Sequence, residues 1–307
     1  MIRGRVIKST GSFYSVDTES GETVQARARG KFRNKKIRTT NPIAVGDWVK
    51  MELKEEDYII VEIEERQNYI VRKSVNLSKQ SHIIASNIDQ AVLVATLVNP
   101  RTLPAFIDRF CVAAEAYHIP VIIVFNKVDL LEENEIDVLE DFAGVYADLG
   151  YQVLFTSATE KLGLEEFRQL LQNRVSLLSG HSGVGKSTLI NAVDENLNLR
   201  IGEISEYHQT GQHTTTNAEM LRLNFGGYII DTPGIRGFGL VHIEKEELAG
   251  YFPEMRKLLP DCRFYNCLHI NEPGCAVKKA VENGIVAQTR YNSYLNMYSD
   301  DEEETYR

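Results

Sequence analysis

Gly180-His-Ser-Gly-Val-Gly-Lys-Ser187 fits the spacing G-x-x-x-x-G-K-[ST], and its setting decides the fold. An apolar run at residues 174–179 precedes it and a helical pattern at 186–193 follows, so the glycines sit at a strand-to-helix turn. Glycines there let successive backbone N–H groups curl around phosphate oxygens without Cβ clashes, and the helix N-terminus adds unpaired donors and a favourable dipole. Lys186 is expected to reach the β- and γ-phosphates and the Ser187 hydroxyl to bind Mg2+. Gly180, His181, Ser182, Gly183, Val184, Gly185 and Thr188 complete the expected contacts.

Outward from this turn, strands and helices alternate. Apolar strands are expected at 91–98, 121–125 and 152–156, with helices at 104–117, 135–149 and 164–171, which implies a mostly parallel sheet with helices on both faces. Asn126-Lys-Val-Asp129 falls at the C-terminal end of one of these strands, where open α/β sheets bind ligands. A carboxylate at Asp129 accepts from both the ring N1–H and the exocyclic amine of guanine, a donor pair that adenine lacks. Asn126, Lys127 and Val128 complete that motif, and Thr156-Ser-Ala158 at the next strand end supplies a second base loop through Ser157 and the Ala158 N–H.

Two more phosphate elements follow downstream. Asp231-Thr-Pro-Gly234 comes after an apolar strand at 228–230; Asp231 is the expected outer-sphere Mg2+ carboxylate, and the Gly234 N–H is expected at the γ-phosphate. Gly211-Gln-His-Thr-Thr-Thr216 offers a hydroxyl, Thr214 or Thr215, to bind Mg2+ in the GTP state, with Thr215 the choice for the ligand. These motifs occur in circularly permuted order, because an ordinary GTPase begins with the phosphate loop and ends with the guanine-reading motifs. Ile235 stands where many GTPases place a water-orienting glutamine, so slow intrinsic turnover is expected. His213 is the candidate for orienting water, and Arg236 is a weaker one.

Residues 1–70 read as five short strands with no helix, at 3–8, 13–17, 23–28, 47–53 and 58–64, which suggests a small β-barrel of the five-stranded OB type. The net charge of −9 disfavours nucleic acid, but residues 1–72 carry 14 basic and 11 acidic residues, a net of +3, against −12 for the remainder. Arg27, Arg29, Lys31, Arg33, Lys35, Lys36 and Arg38 form an unbroken basic stretch around Phe32, a pattern suited to phosphates and a stacked base. Near the C-terminus, Cys262-x4-Cys267-x-His269-x5-Cys275 is a Cys3His set, the usual closed, structural zinc site. Cys111 is expected in the core. The apolar runs fall far short of the roughly 20 residues of a membrane span, and no signal peptide is visible, so a cytoplasmic monomer without membrane contact is expected.

Taken together, these motifs resemble the RsgA family (also called YjeQ or YloQ), circularly permuted GTPases dependent on the small ribosomal subunit. The resemblance rests on Ile88-Asp-Gln90, Asn126–Asp129, Gly180–Ser187, Gly211–Thr216, Asp231–Arg236, Phe264-Tyr-Asn-Cys-Leu-His269 and Glu272-Pro-Gly-Cys275. It implies a multidomain α/β protein: an OB-fold RNA-binding domain at 1–72, a permuted GTPase domain at 73–240, and a zinc-knuckle and helical domain at 241–307. It also implies GTP and GDP as ligands with Mg2+, one structural Zn2+, and action on the small subunit and its ribosomal RNA in late maturation, with hydrolysis stimulated by the subunit. Departures are Gln212, where Arg is common, and His181, where Asn is common. The alternative is a GTP-dependent switch acting on another RNA or protein partner. An ATP-using P-loop kinase or transport ATPase is disfavoured by Asp129 and Ala158.

Overall fold

The computed structural model describes residues 1–10, 13–29, 42–55, 57–73, 81–197, 199, 218–231 and 243–299. Strands β1 (Ile2–Ser9), β2 (Phe13–Thr18), β3 (Thr23–Ala28), β4 (Trp48–Lys54) and β5 (Asp57–Ile63) alternate inward and outward residues. Val6, Tyr14, Val16, Ala26, Ile43, Val49, Met51 and Ile60 fill the interior. The pairing runs β1-β2-β3-β5-β4, and β4 closes back onto β1, so the five strands form a barrel with β3 and β5 parallel. Two further strands, β6 (Tyr69–Lys73) and β7 (Ser81–Ser86), pair as a separate antiparallel ribbon. The boundary read at 72/73 falls within β6.

The larger sheet is built from β8 (Gln90–Ala95), β9 (Val121–Asn126), β10 (Gln152–Thr156), β11 (Val175–Ser179), β12 (Glu219–Arg222) and β13 (Tyr228–Asp231). Their order is β10-β9-β8-β11-β13-β12, parallel throughout except for β12. β8 and β9 are buried at every residue, as continuous apolar runs covered on both faces must be. The strand period of two divides them between two cores. Leu93, Ala95, Ile123 and Phe125 face α1 (Pro104–Ala116) and α2 (Glu133–Asp148). Val92, Val94, Ile122 and Val124 face α3 (Leu164–Leu171) and α4 (Lys186–Val193).

The barrel is continuous with this sheet. β1 pairs with β12 at Lys8↔Glu219, and the Lys8 ammonium bonds the Glu219 carboxylate at 3.0 Å. The junction below it centres on the fully buried Asp47, whose carboxylate accepts from Arg66 (2.6 and 2.7 Å), the Ser86 hydroxyl (2.6 Å) and the Ala44 N–H (2.8 Å). A buried carboxylate with this many donors has its hydrogen-bonding capacity met and fixes the loop around it.

On the other side, α5 (Pro253–Leu258), α6 (Ala276–Glu282) and α7 (Gln288–Ser299) form a third core, which includes Phe252, Met255, Val277 and Tyr294. Val112 of α1 belongs to the same core, so α1 is a wall shared with the sheet. Across that wall runs a buried charge cluster. Arg290 of α7 donates to Glu254 of α5 (2.7 and 3.2 Å) and to Asp108 of α1 (2.8 Å), and the Tyr146 hydroxyl of α2 also donates to Asp108 (2.9 Å).

Candidate functional site

Among the described residues, the nucleotide motifs follow the C-terminal ends of parallel strands: Asn126 ends β9, Ser157 follows β10, Gly180 follows β11, and Asp231 ends β13; residues 211–216 lie outside the described residues. Parallel strands all present this end on one side, so a permuted chain still gathers the motifs at one edge. In the β9–β10 register, Thr156 lies beside Asn126.

The asparagine of the base motif is a clamp. Asn126 is buried; its amide donates to the Val184 carbonyl of the phosphate loop (2.8 Å), and its oxygen accepts from the Thr156 hydroxyl (3.1 Å). Lys127, in the left-handed region at φ 64°, extends over the loop and donates to the Gly183 and Asn99 carbonyls at 2.6 Å each. Asp129 is exposed, and one carboxylate oxygen accepts from Thr159 at 3.1 Å. Ser157 is buried, its hydroxyl accepting from the Glu160 N–H (3.1 Å), which orders the loop carrying the half-buried Ala158. The Asp129 carboxylate thus stands at the surface, braced by the loop that follows β10. Val128 packs against the α1–α2 core.

Close approach explains the glycines. Gly185 has φ +96°, and a Cβ there would lie 2.4 Å from Asn126 Nδ2; Gly180 has φ +141°, and a Cβ would lie 2.3 Å from the Val94 carbonyl oxygen. Both values are below any real contact, so the loop lies against its neighbours as backbone alone. Lys186 is buried, and its ammonium donates to the Gly180 and His181 carbonyls at 2.7 Å each. Ser187 is buried beside it, Thr188 half-buried, and Ser182 and Gly183 exposed. The His181 ring stacks on Phe106 of α1 at 3.8 Å. Partial burial, followed by the Lys186 charge, lowers the pKa of His181 from the ordinary imidazole value.

His213, Thr214, Thr215 and Gly234 lie outside the described residues, as do Lys31, Phe32, Arg33, Lys35, Lys36 and Arg38; for Asp231 only the backbone is described. Arg27 and Arg29 are exposed on the barrel. The Arg27 guanidinium lies 4.8 Å from the Phe13 ring centre and 3.6 Å from the Asp57 carboxylate.

The cysteine cluster lies in the third core. The donor atoms of Cys262, Cys267, His269 and Cys275 lie within 4.8 Å of one another. His269 Nδ1 is 3.3 Å from Cys275 Sγ and 3.6 Å from Cys262 Sγ. Tetrahedral thiolates about 2.3 Å from one zinc ion stand about 3.8 Å apart, so the four residues fit Zn2+. Backbone N–H groups of Ala276 and Lys278 point at Cys262 and Cys275 Sγ (3.3 and 3.4 Å), which holds the two sulfurs in position. The intervening loop is held from within and from behind. Glu272 accepts from the Leu268, Ile270 and Asn271 N–H groups at 2.8 to 3.0 Å, bonds that together pull its pKa below the usual range against burial. Tyr291 donates to the His269 carbonyl (2.7 Å), and Tyr294 to that of Leu268.

Sequence reasoning did not find Lys127 as a brace to Asn99, Thr159 as the partner of Asp129, or Arg290 as the bridge to α1. Thr159 directly follows the Ser-Ala pair and was visible as a hydroxyl beside a base loop. Arg290 carried no signal, because an arginine in a polar helix reads as solvated.

Residues 63–241 match the RsgA GTPase family and residues 3–60 the RsgA N-terminal domain. The chain belongs to the RsgA GTPase family. It is 50% identical to small ribosomal subunit biogenesis GTPase RsgA 2 of Bacteroides thetaiotaomicron, covering 100% of this chain and 99% of the relative. It is 53% identical to the RsgA of Flavobacterium johnsoniae, covering 98% and 94%. Among solved structures, YjeQ from Thermotoga maritima superposes with a TM-score of 0.79 at 34% identity, covering 97% of both chains. YloQ, described as a circularly permuted GTPase, superposes with a TM-score of 0.76 at 32% identity, covering 97% and 94%. This RsgA chain is therefore a multidomain α/β protein: a permuted GTPase fold, an N-terminal five-stranded barrel, and a C-terminal Cys3His cluster compatible with zinc. Among the described residues no helix is long and apolar enough to cross a membrane.

Proposed function

We propose that this protein binds the small ribosomal subunit, assists its late maturation, and hydrolyses GTP to GDP and phosphate when the subunit stimulates it. The observation that carries the reading is the convergence of a guanine-selecting carboxylate and a phosphate loop, Asp129 and Gly180–Ser187, joined through Asn126 at 2.8 Å. The names of its relatives support the choice of partner. Asp129 and the Ala158 N–H read the base. Lys186 exchanges its two loop carbonyls for β- and γ-phosphate oxygens. Ser187 and Thr215 would hold Mg2+ directly and Asp231 through its waters, and the ion supplies charge neutralisation between the phosphates. The Gly234 N–H meets the γ-phosphate, and Thr214 shares the threonine segment that orders around it.

Water attacks the γ-phosphorus in line, the bond to the bridging oxygen breaks, and GDP leaves with that electron pair. His213 orients the water, because Ile235 carries no hydrogen-bonding group. With a three-domain division at 1–72, 73–240 and 241–307, the RNA contacts belong to the N-terminal domain, through Arg27, Arg29, Lys31, Phe32, Arg33, Lys35, Lys36 and Arg38. The Cys3His cluster holds one structural Zn2+, and the protein acts as a cytoplasmic monomer. GTP hydrolysis is measured alone, with small ribosomal subunits, and with large subunits. Stimulation by small subunits only is the expected result. Equal rates in all three leave a GTPase with a different RNA or protein partner.

A further inference from the structure

The tip of the cysteine loop, residues 263–266, has a surface that neither nucleotide binding nor metal binding uses. Tyr265 is 92% exposed and Phe264 40% exposed, and their neighbours Arg263 and Asn266 are exposed too. Among the described residues Tyr265 has no hydrogen-bond or ring partner. A tyrosine held this far into water buries none of its apolar ring in the free protein.

The backbone beneath it is fixed. Cys262 and Cys267, the two ends of the tip, converge on one donor cluster. The Cys267 N–H bonds the Phe264 carbonyl (3.2 Å), and the Arg263 N–H crosses to the Gly274 carbonyl (3.1 Å). Gly274 has φ +74°, and a Cβ there would lie 3.1 Å from Arg263 Cβ, so the two halves of the loop lie in close contact. A ring on such a support loses little conformational freedom when a partner covers it.

Charge chooses the partner. Residues 256–279 carry five basic residues, Arg256, Lys257, Arg263, Lys278 and Lys279, against Asp261 and Glu272, with Arg256 paired to Glu115 of α1 at 3.2 Å. The Glu272 carboxylate is turned inward onto three backbone N–H groups. The Arg263 guanidinium lies 5.5 Å from the Phe264 ring centre, which keeps the cation beside the aromatic pair. A free aromatic face next to a guanidinium on a basic support is chemistry for an unpaired base and its phosphate, and the local excess of positive charge favours a polyanion over a protein surface.

We infer that Tyr265 is a stacking platform for an unpaired RNA base, with Arg263 on the adjoining phosphate. This rests on the proposed small-subunit partner only for which RNA is met. The test uses the full-length protein with Zn2+ present, comparing wild type with Tyr265→Ala, Tyr265→Phe and Arg263→Ala. Each is titrated against purified small subunits and, separately, against a short labelled single-stranded RNA.

Tyr265→Ala should weaken binding about tenfold or more, and Tyr265→Phe should retain it, because stacking needs the ring and not the hydroxyl. Arg263→Ala should weaken binding and flatten its salt dependence. Zinc content and thermal midpoint should be unchanged in all three variants. Tyr265→Ala that binds both probes as wild type does overturns the inference. So does a photo-crosslinker placed at position 265 that captures only ribosomal protein. Wild type that binds the RNA and not the subunit sinks the functional proposal, while the RNA titration still decides the platform.

Discussion

Replacing Arg290 by methionine tests whether the cysteine-cluster domain is held to the GTPase domain by charge. The guanidinium bonds Glu254 twice and Asp108 once, and its carbon also lies 4.7 Å from the Phe252 ring centre. Both carboxylates are buried, Asp108 at 0% and Glu254 at 8% exposure, and Asp108 Oδ2 has no partner even with the arginine present. Methionine keeps most of the packing volume and leaves two buried acids without their cation. Breaking a buried pair from one side costs about 3–5 kcal/mol. The loss must depend on pH, and the sign follows from Asp108. Burial already raises its pKa above the ordinary value, and Arg290 is the leading opposing influence. Without Arg290 the folded-state pKa rises further above the unfolded value of about 3.9, so the fold favours the protonated acid. The stability gap to wild type is then smallest near the unfolded pKa and widens as pH rises toward the folded one. Urea unfolding followed by circular dichroism with Zn2+ present, at about pH 5 and about pH 8, reads this directly. Hydrogen exchange in α1 and α7 locates the loss. A penalty under about 1 kcal/mol at the higher pH, or one that shrinks as pH rises, refutes the reasoning. Adding Asp108→Asn and Glu254→Gln to the variant should recover stability, and further loss would refute it equally.

Gly185→Ala should cut nucleotide affinity at least about tenfold, since strain of about 1–3 kcal/mol at φ +96° adds to a methyl 2.4 Å from Asn126 Nδ2. Titration with a fluorescent GDP analogue checks this, and unchanged affinity would mean that the loop does not depend on the clamp. Asp129→Asn replaces an acceptor with a donor, so GTP affinity should fall by about a hundredfold or more and xanthine nucleotides should become the better ligands. Retained preference for GTP in a competition assay would remove Asp129 from the base site.

The central sheet was legible because each strand carried its own evidence. Residues 121–125 and 152–156 are short apolar runs that stop at polar motifs, and in the fold these stops are the strand ends that face the ligand edge. The barrel was legible from spacing alone. The β6–β7 ribbon was not read as strands: Arg72, Lys73, Ser81 and His82 give it neither a continuous apolar run nor a sustained alternation. β12 was missed for another reason, since Glu219–Arg222 is four residues long and gains its place by pairing with β13 and β1. α7, whose sequence carries three tyrosines and few apolar residues, was not read as a helix. Its helix follows from tertiary contacts, with Arg290, Tyr291 and Tyr294 each reaching a partner far away in sequence. Within the site the residue types were visible and their mutual contacts were not. Asn126 was read as a base contact, and its side chain instead joins two loops that lie 58 positions apart in the chain.

Those contacts bear on how a partner seated on the flanking domains reaches the phosphates. The barrel grips the strand that ends in Asp231: Tyr228, the first residue of β13, donates to Asp17 of β2 at 2.9 Å. Arg5 of β1 also stands between Trp48 and Tyr228, its guanidinium carbon 4.5 and 5.8 Å from their ring centres. The cysteine-cluster domain grips a different element, α1, whose first turn carries Phe106 against His181 and whose second turn carries Asp108 against Arg290. The two flanking domains therefore contact two different elements of the candidate site, β13 at its first residue and, through α1, the loop after β11. A surface that binds both domains at once fixes the distance between those elements, while a surface that binds one fixes neither relative to the other. By linkage, the nucleotide state that prefers that distance must in turn bind the two-domain partner more tightly. Permutation makes this arrangement possible, because it leaves the barrel and the cysteine cluster at opposite ends of the chain with the whole nucleotide edge between them.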